Sequence, residues 1–174
     1  MSLPRRALSL HARQLISASL GLIAFLGLTG IALDKAFQSS LVNSLEDQMA
    51  SYASVFWDEV EFDKNGLIIG KRIDLPDARL KAYRGGLYAQ ISGKHNSWQS
   101  TKVSNSLFSL PKLNVGKLGT ADQFSGPVNL RISEDLTINA YQYMATKELQ
   151  TENGPEVLSL RIYQDENEIF KQIS

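Results

Sequence analysis

Apolar residues follow three regimes along this chain. Over residues 15–33 they are continuous: LISASLGLIAFLGLTGIAL is nineteen residues without a charge. At about 1.5 Å per residue, a helix of that length covers about 28 Å, close to the hydrocarbon thickness of a bilayer. Backbone polar groups find no partner in lipid, so a spanning segment there must be helical. Further on, Phe37, Leu41, Leu45, Met49, Tyr52, Phe56 and Val60 recur every three or four positions, with Ser, Asn, Glu, Asp and Gln between them. That is the period of an amphipathic helix of about seven turns. No Pro or Gly interrupts residues 31–65, so one unbroken helix is predicted to leave the membrane and enter a folded domain.

Beyond that stretch the period shortens toward two. Asn65-Gly66 is a turn signal predicted to end the helix. Residues 67–69 read as a short strand, and 74–85 as a loop with one helical turn. Residues 86–92 (GLYAQIS) read as a strand, 93–96 as a hairpin turn and 97–101 as the return strand. Residues 102–121 are rich in Ser, Asn, Gly and Lys and read as a long crossing loop. Residues 124–132 read as a strand weakened by Gly126-Pro127.

The last two strands are the clearest. Leu136, Ile138, Ala140 and Met144 alternate with Thr137, Asn139, Tyr141 and Tyr143. After a turn over 152–155, Leu158, Leu160 and Ile162 are predicted to face inward. Asp165 with Glu168 three residues later forms a capping box for a short final helix. The predicted class is α+β: one antiparallel sheet with the long helix on one face and a short helix at the end.

Charge orients the apolar run. Arg5, Arg6 and Arg13 precede it, while Asp34 and Lys35 follow it and cancel. Positive residues stay in the cytoplasm. Residues 1–14 are therefore expected to be a cytoplasmic tail, 15–33 a membrane helix, and 34–174 a domain in the periplasm, with the anchor in a bacterial inner membrane. Gly30 and Ala32 also suit a signal-peptide cleavage site, but the run exceeds the apolar core of about 7–15 residues that signal peptides carry. Either reading exports the domain. Ser17, Gly21, Ala24, Gly27 and Gly30 are small enough to let a second membrane helix approach.

Removing Arg5, Arg6 and Arg13 from the 18 basic residues leaves 15 against 18 acidic ones, a balance of about −3. Nucleic acid needs a strongly basic surface, so it is excluded as a partner. There is no Cys, hence no disulfide and no thiol chemistry. His11 and His95 lack catalytic neighbours in sequence, and no nucleotide, hydrolase or zinc motif occurs. Asp58, Glu59, Glu61 and Asp63 cluster near the end of the long helix, and Asp165, Glu166 and Glu168 near the last one. Both clusters read as solvated helix ends, so no cofactor and no tight metal site is expected. Tyr88, Trp98, Tyr141 and Tyr143 are strand aromatics and the candidates for lining a ligand pocket. Phe37, Leu41 and Leu45 form a stripe just outside the membrane, the candidate stalk of a homodimer.

Several stretches carry a resemblance. RRALSLHARQLISASLGLIAFLGLTGIALDKAF resembles the N-terminus of PhoQ-like bacterial sensor histidine kinases. GGLYAQIS resembles that family's second strand, and LSLRIYQDENEIFKQI the segment before its second membrane helix. The resemblance implies a PAS-like (PDC) periplasmic sensor domain between two membrane helices. Members signal through HAMP, dimerisation and kinase modules to a cognate response regulator; this sequence contains no phosphoacceptor helix, ATP site or second apolar run. The acidic run with which the family's namesake binds divalent cations is also lacking, so a magnesium-sensing role is not implied.

The expected function is the signal-sensing region of a two-component kinase, recognising a periplasmic ligand or protein partner. The alternative is a membrane-anchored envelope assembly or secretion component acting as a binding module. A bitopic envelope enzyme is disfavoured by the missing catalytic residues. A reading frame that continues past Ser174 into a second apolar run and an H-E-x-x-x-P helix is expected of the first and not of the second.

Overall fold

A computed structural model describes residues 9–69, 77–82, 84–100, 122–132 and 136–171. Arg5 and Arg6, the crossing loop over 102–121 and the end of the predicted return strand lie outside these residues. The chain divides into two units, 1–45 and 46–174.

The first unit is helical from Leu10 on. α1 spans Leu10–Glu59 and continues into the second unit without a break. Ser9 caps its start, its Oγ accepting from the Ala12 N–H at 3.3 Å. The apolar run lies wholly exposed along it, from Leu15 to Leu33. α1 is the one described helix long and apolar enough to cross a membrane.

The second unit is an α+β domain. It holds the last turns of α1, then β1 (Glu61–Phe62), β2 (Ile68–Ile69), a 3-10 turn η1 (Ala78–Lys81), β3 (Leu87–Ser92), β4 (Ser97–Gln99), β5 (Gln123–Arg131), β6 (Thr137–Thr151), β7 (Gly154–Asp165) and α2 (Glu166–Lys171). β1 and β2 make a small hairpin. The other five strands form an antiparallel sheet in the order β4-β3-β7-β6-β5.

The long helix ends before the turn signal predicted to stop it. Asn65-Gly66 instead closes the β1–β2 hairpin. There the Gly66 N–H donates to the Asp63 carbonyl at 2.9 Å and Gly66 adopts φ +77, which a side chain would strain. The weakened strand is a full one, because β5 lies at the sheet edge. Its register slips between Ser125 and Val128, so Pro127 sits in a bulge where a missing N–H costs no ladder bond. At the last helix, Asp165 Oδ1 caps the Asn167 N–H at 2.9 Å. The other half of the capping box does not form. The Asp165 N–H donates across to the Gly86 carbonyl at 2.7 Å, and Glu168 pairs with Lys171 at 2.6 Å.

Register assigns the paired strand residues of the main sheet to its two faces. One face carries Leu87, Ala89 and Ile91 from β3, Leu158, Leu160 and Ile162 from β7, and Tyr143 and Ala145 from β6, all buried. Met49, Ala53 and Phe56 of α1 are buried as well, and the Phe56 ring lies 5.7 Å from that of Trp98 on β4. Lys147 on the same face reaches the Trp57 carbonyl at 3.4 Å, with its Nζ 5.9 Å from the indole centroid. The opposite face has its own cluster at one end: Tyr88, Leu130, Ile132, Ile138, Ala140 and Tyr163. β7, central in the sheet, is therefore covered on both sides, and the inward set of Leu158, Leu160 and Ile162 is joined by buried Ser159 and Tyr163 on the other side.

Candidate functional site

The four strand aromatics do not converge. Tyr88 is buried on the face turned away from α1, within the apolar cluster there. Trp98 packs on Phe56 in the helix-facing core. Tyr141 stacks on Phe124 at 5.7 Å with the rings within 5° of parallel, and burial raises its hydroxyl above the usual tyrosine range, with Glu166 adding to the effect. Tyr143 is buried, and its hydroxyl donates to Asp122 Oδ2 at 2.7 Å. Burial first, then that hydrogen bond and the Asp122 charge, push the Tyr143 hydroxyl up to about 12. Tyr141 and Tyr143 share the helix-facing side with Trp98; Tyr88 does not.

In the candidate stalk, Phe37 is 52% exposed, Leu41 half-buried and Leu45 buried. The acidic group after the long helix is dispersed: Asp58 and Glu59 close α1, Glu61 enters β1, and Asp63 accepts from Lys64 N–H and Asn65 Nδ2 in the hairpin turn. Among the described residues, no group of three or more His, Asp or Glu side chains is placed to hold a metal ion. His95 finds a partner far away in sequence: its Nε2 lies 3.0 Å from Glu156 Oε1.

A second polar network ties α1 to η1. The Gln48 amide donates to the Tyr52 hydroxyl at 3.2 Å, which donates to Asp77 Oδ2 at 3.0 Å. Arg79 closes on the same carboxylate, its Nη2 at 2.6 Å and its Nε at 3.0 Å. The Arg79 guanidinium holds the Asp77 carboxyl down to about 2.

A polar arrangement lies on the face away from α1. Gln99, Gln90, Arg161, Met144 and Gln123 stand in one register row across all five strands. Beside it runs a second row of Tyr88, Tyr163, Gln142 and Ser125. Gln123, Ser125, Gln142, Met144 and Arg161 enclose a cavity of about 130 Å³. Gln142 Nε2 donates to Ser125 Oγ at 2.8 Å and fixes one wall. Arg161 makes one long contact, Nη1 to the Tyr163 hydroxyl at 3.4 Å, and no ion pair with any described carboxylate. Gln90, its cross-strand neighbour, is only 4% exposed, yet its Oε1 accepts no hydrogen bond from the described residues. A buried carbonyl without a donor costs about 1–3 kcal/mol; Arg79 Nη1, Glu156 Oε2 and Gln164 Oε1 are buried in the same state, and Gln90 is not among the residues that enclose the cavity.

None of the pocket-lining residues was among the strand aromatics that the sequence offers. The available signal was Arg161 itself, a lone charge inside the apolar run LSLRIY. An Arg at the middle of a strand flanked by core residues has either a partner or a task. No family model, no curated protein and no solved structure matches this chain.

Proposed function

We propose that this chain is the extracytoplasmic sensing region of a membrane-bound two-component sensor histidine kinase, with a PAS-like (PDC) domain as its sensor. The observation that carries the reading is α1. A single helix, Leu10–Glu59, bears an uncharged apolar run in its first half and gives Met49, Ala53 and Phe56 to the domain core in its second. A continuous helix resists bending, so movement in the domain is felt along its axis. The strand order also supports the PAS-like reading: within the main sheet it runs second, first, fifth, fourth, third, and α1 packs on one face alone. The other face keeps a polar cavity around Arg161 for a stimulus. Signalling passes to a kinase module outside this sequence.

Two measurements test the reading. Reporters fused after Val60 should be active when they need the periplasm and silent when they need the cytoplasm; the reverse pattern sinks it. Single cysteines placed in turn at positions 37–45, in membranes, should cross-link with a period of about 3.6 residues if two copies pair along this stretch. Absent or uniform cross-linking removes the dimer.

A further inference from the structure

We infer that the Tyr52–Asp77–Arg79 network is a latch coupling α1 to α2 through η1, so that opening it at α1 loosens the seat of α2. The inference rests on the sensor reading for its use, because a sensor needs movement of α1 to be felt elsewhere in the domain; its mechanics rest on contacts alone. The first link is the latch itself. Tyr52 of α1 donates to Asp77 Oδ2 at 3.0 Å. The same carboxylate caps η1, its Oδ1 accepting from the Arg79 N–H at 2.9 Å, and holds the Arg79 side chain through Nη2 at 2.6 Å. One residue therefore joins the helix to the turn. The second link is backbone against backbone. The Ala82 N–H donates to the Arg79 carbonyl at 3.2 Å, and the Gly85 N–H to the Ala82 carbonyl at 3.1 Å. A Cβ on Gly85 would fall on the Arg79 carbonyl, so η1 lies directly against Gly85 with no side chain between them to absorb a shift. The third link reaches α2. The Gly86 carbonyl accepts at 2.7 Å from the N–H of Asp165, the residue that caps α2, and a Cβ on Gly86 would meet the Glu168 side chain. A displacement of η1 is thus passed to the first turn of α2 through two glycines. Two further features give the latch an open arrangement to move to. Leu80, within η1, is fully buried and gives the turn a pivot. Arg79 Nη1 is buried without a partner among the described residues while the latch is closed. An unmet donor narrows the gap between closed and open, and coupling needs an element with two arrangements close in free energy.

The test is amide hydrogen exchange, followed by mass spectrometry, on the full chain in detergent micelles. Tyr52→Phe removes only the hydroxyl of the latch. It should speed exchange in η1 and in α2 about 3–10-fold, the effect of one lost hydrogen bond, and leave the centre of β7 unchanged. Asp77→Asn should do the same to at least that extent. Coupling is reciprocal, so Gly86→Ala, which pushes on α2 from the other end, should speed exchange in η1 as well as in α2. Gly154→Ala is the control for backbone strain: Gly154 has φ +109, but nothing lies within 4 Å of a Cβ placed there. It should leave both elements unchanged. If Gly86→Ala does not fold, Tyr52→Phe and Asp77→Asn decide the matter. Faster exchange in η1 with α2 unchanged overturns the inference, as does no change in η1, equal acceleration across β7, or the same response to Gly154→Ala. An unmoved α2, with a periplasmic reporter active after Val60, refutes the latch and leaves the sensor reading standing. Coupled exchange with the reporter active only in the cytoplasm supports the latch and removes the sensor.

Discussion

The two faces of the main sheet solve different problems. The face toward α1 is mostly apolar: Leu87, Ala89, Ile91, Leu158, Leu160, Ile162, Tyr143 and Ala145 are buried, as are Met49, Ala53 and Phe56 of α1, and the Trp98 ring lies against that of Phe56. The face away from it is apolar only at one end, around Tyr88 and Tyr163, and polar in the middle, around Gln90, Arg161, Gln142 and Ser125. The strands are the same, so the difference lies in alternate residues, since successive side chains point to opposite sides. The comparison teaches that one face can carry most of the stability. The other is then free to keep groups that packing alone would not choose: among the described residues, a guanidinium without an ion pair and a side-chain carbonyl without a donor.

The largest effects should come from the helix-facing side. Phe56 is fully buried and touches Trp98, so Phe56→Ala should cost about 3–5 kcal/mol, read as a lower denaturation midpoint of the full chain in micelles. A loss below about 1 kcal/mol would mean that α1 is not seated on this face.

A smaller effect sits at the contact of α1 with η1. The Asp77 carboxyl is lowered from 3.8 to about 2, chiefly by Arg79. A depressed folded value stabilises the domain above the unfolded value. The contribution is therefore complete above about pH 4 and is lost as pH falls from about 4 toward 2. The groups are partly solvated, so the gain is about 1 kcal/mol. Arg79→Gln should remove that acid-side loss and leave the curve near neutrality lower by the same amount, as followed by urea titrations between pH 2 and 7. An unchanged acid limb would show that the pair contributes nothing.

A loss of similar or smaller size is expected at the edge of the helix-facing side. Tyr143→Phe removes the hydrogen bond to Asp122 at 2.7 Å, which should cost about 0.5–1.5 kcal/mol. The Tyr143 hydroxyl is raised to about 12, so its neutral form is favoured by the fold. Its contribution is complete below about pH 10 and disappears as pH rises from about 10 to 12. The Phe variant should show no such alkaline loss in a fluorescence melt.

How much of this was legible in the sequence follows the same division. α1 was legible, because an uncharged apolar run is followed by spacings of three and four with no Pro or Gly after Gly30. β6 and β7 were legible as strands, and Leu158, Leu160 and Ile162 as the inward set. The covered side of β6 was not. Ile138 and Ala140 are buried on one face, Tyr143 and Ala145 on the other, because different partners cover each end. No single inward set exists for alternation to reveal. β1 was hidden because two residues, one of them charged, pair only with β2. The polar row was hidden for a deeper reason. Gln90, Arg161, Met144 and Gln123 come from four strands, and only the register of three separate ladders aligns them. Aromatic residues drew attention as pocket candidates because they are large, yet here most of them pack the core.

The smallest expected change is also the one that most sharpens the contrast between the faces. Arg161 lies in the central strand, where a structural role would be the ordinary expectation. Its contacts argue otherwise: one long bond to Tyr163, no ion pair among the described residues, and a cavity beside it. Replacing it with Gln keeps most of the aliphatic stem and removes a partly desolvated charge. Those terms oppose each other, so Arg161→Gln should leave unfolding stability within about 0.5 kcal/mol of the parent, or slightly above it. Groups kept for binding are often neutral or costly for stability, and a small gain would be their signature. The measurement is a pair of urea titrations in micelles, one on the parent and one on the variant. A loss above about 2 kcal/mol would place Arg161 in the core after all, and the two faces would then share the structural work.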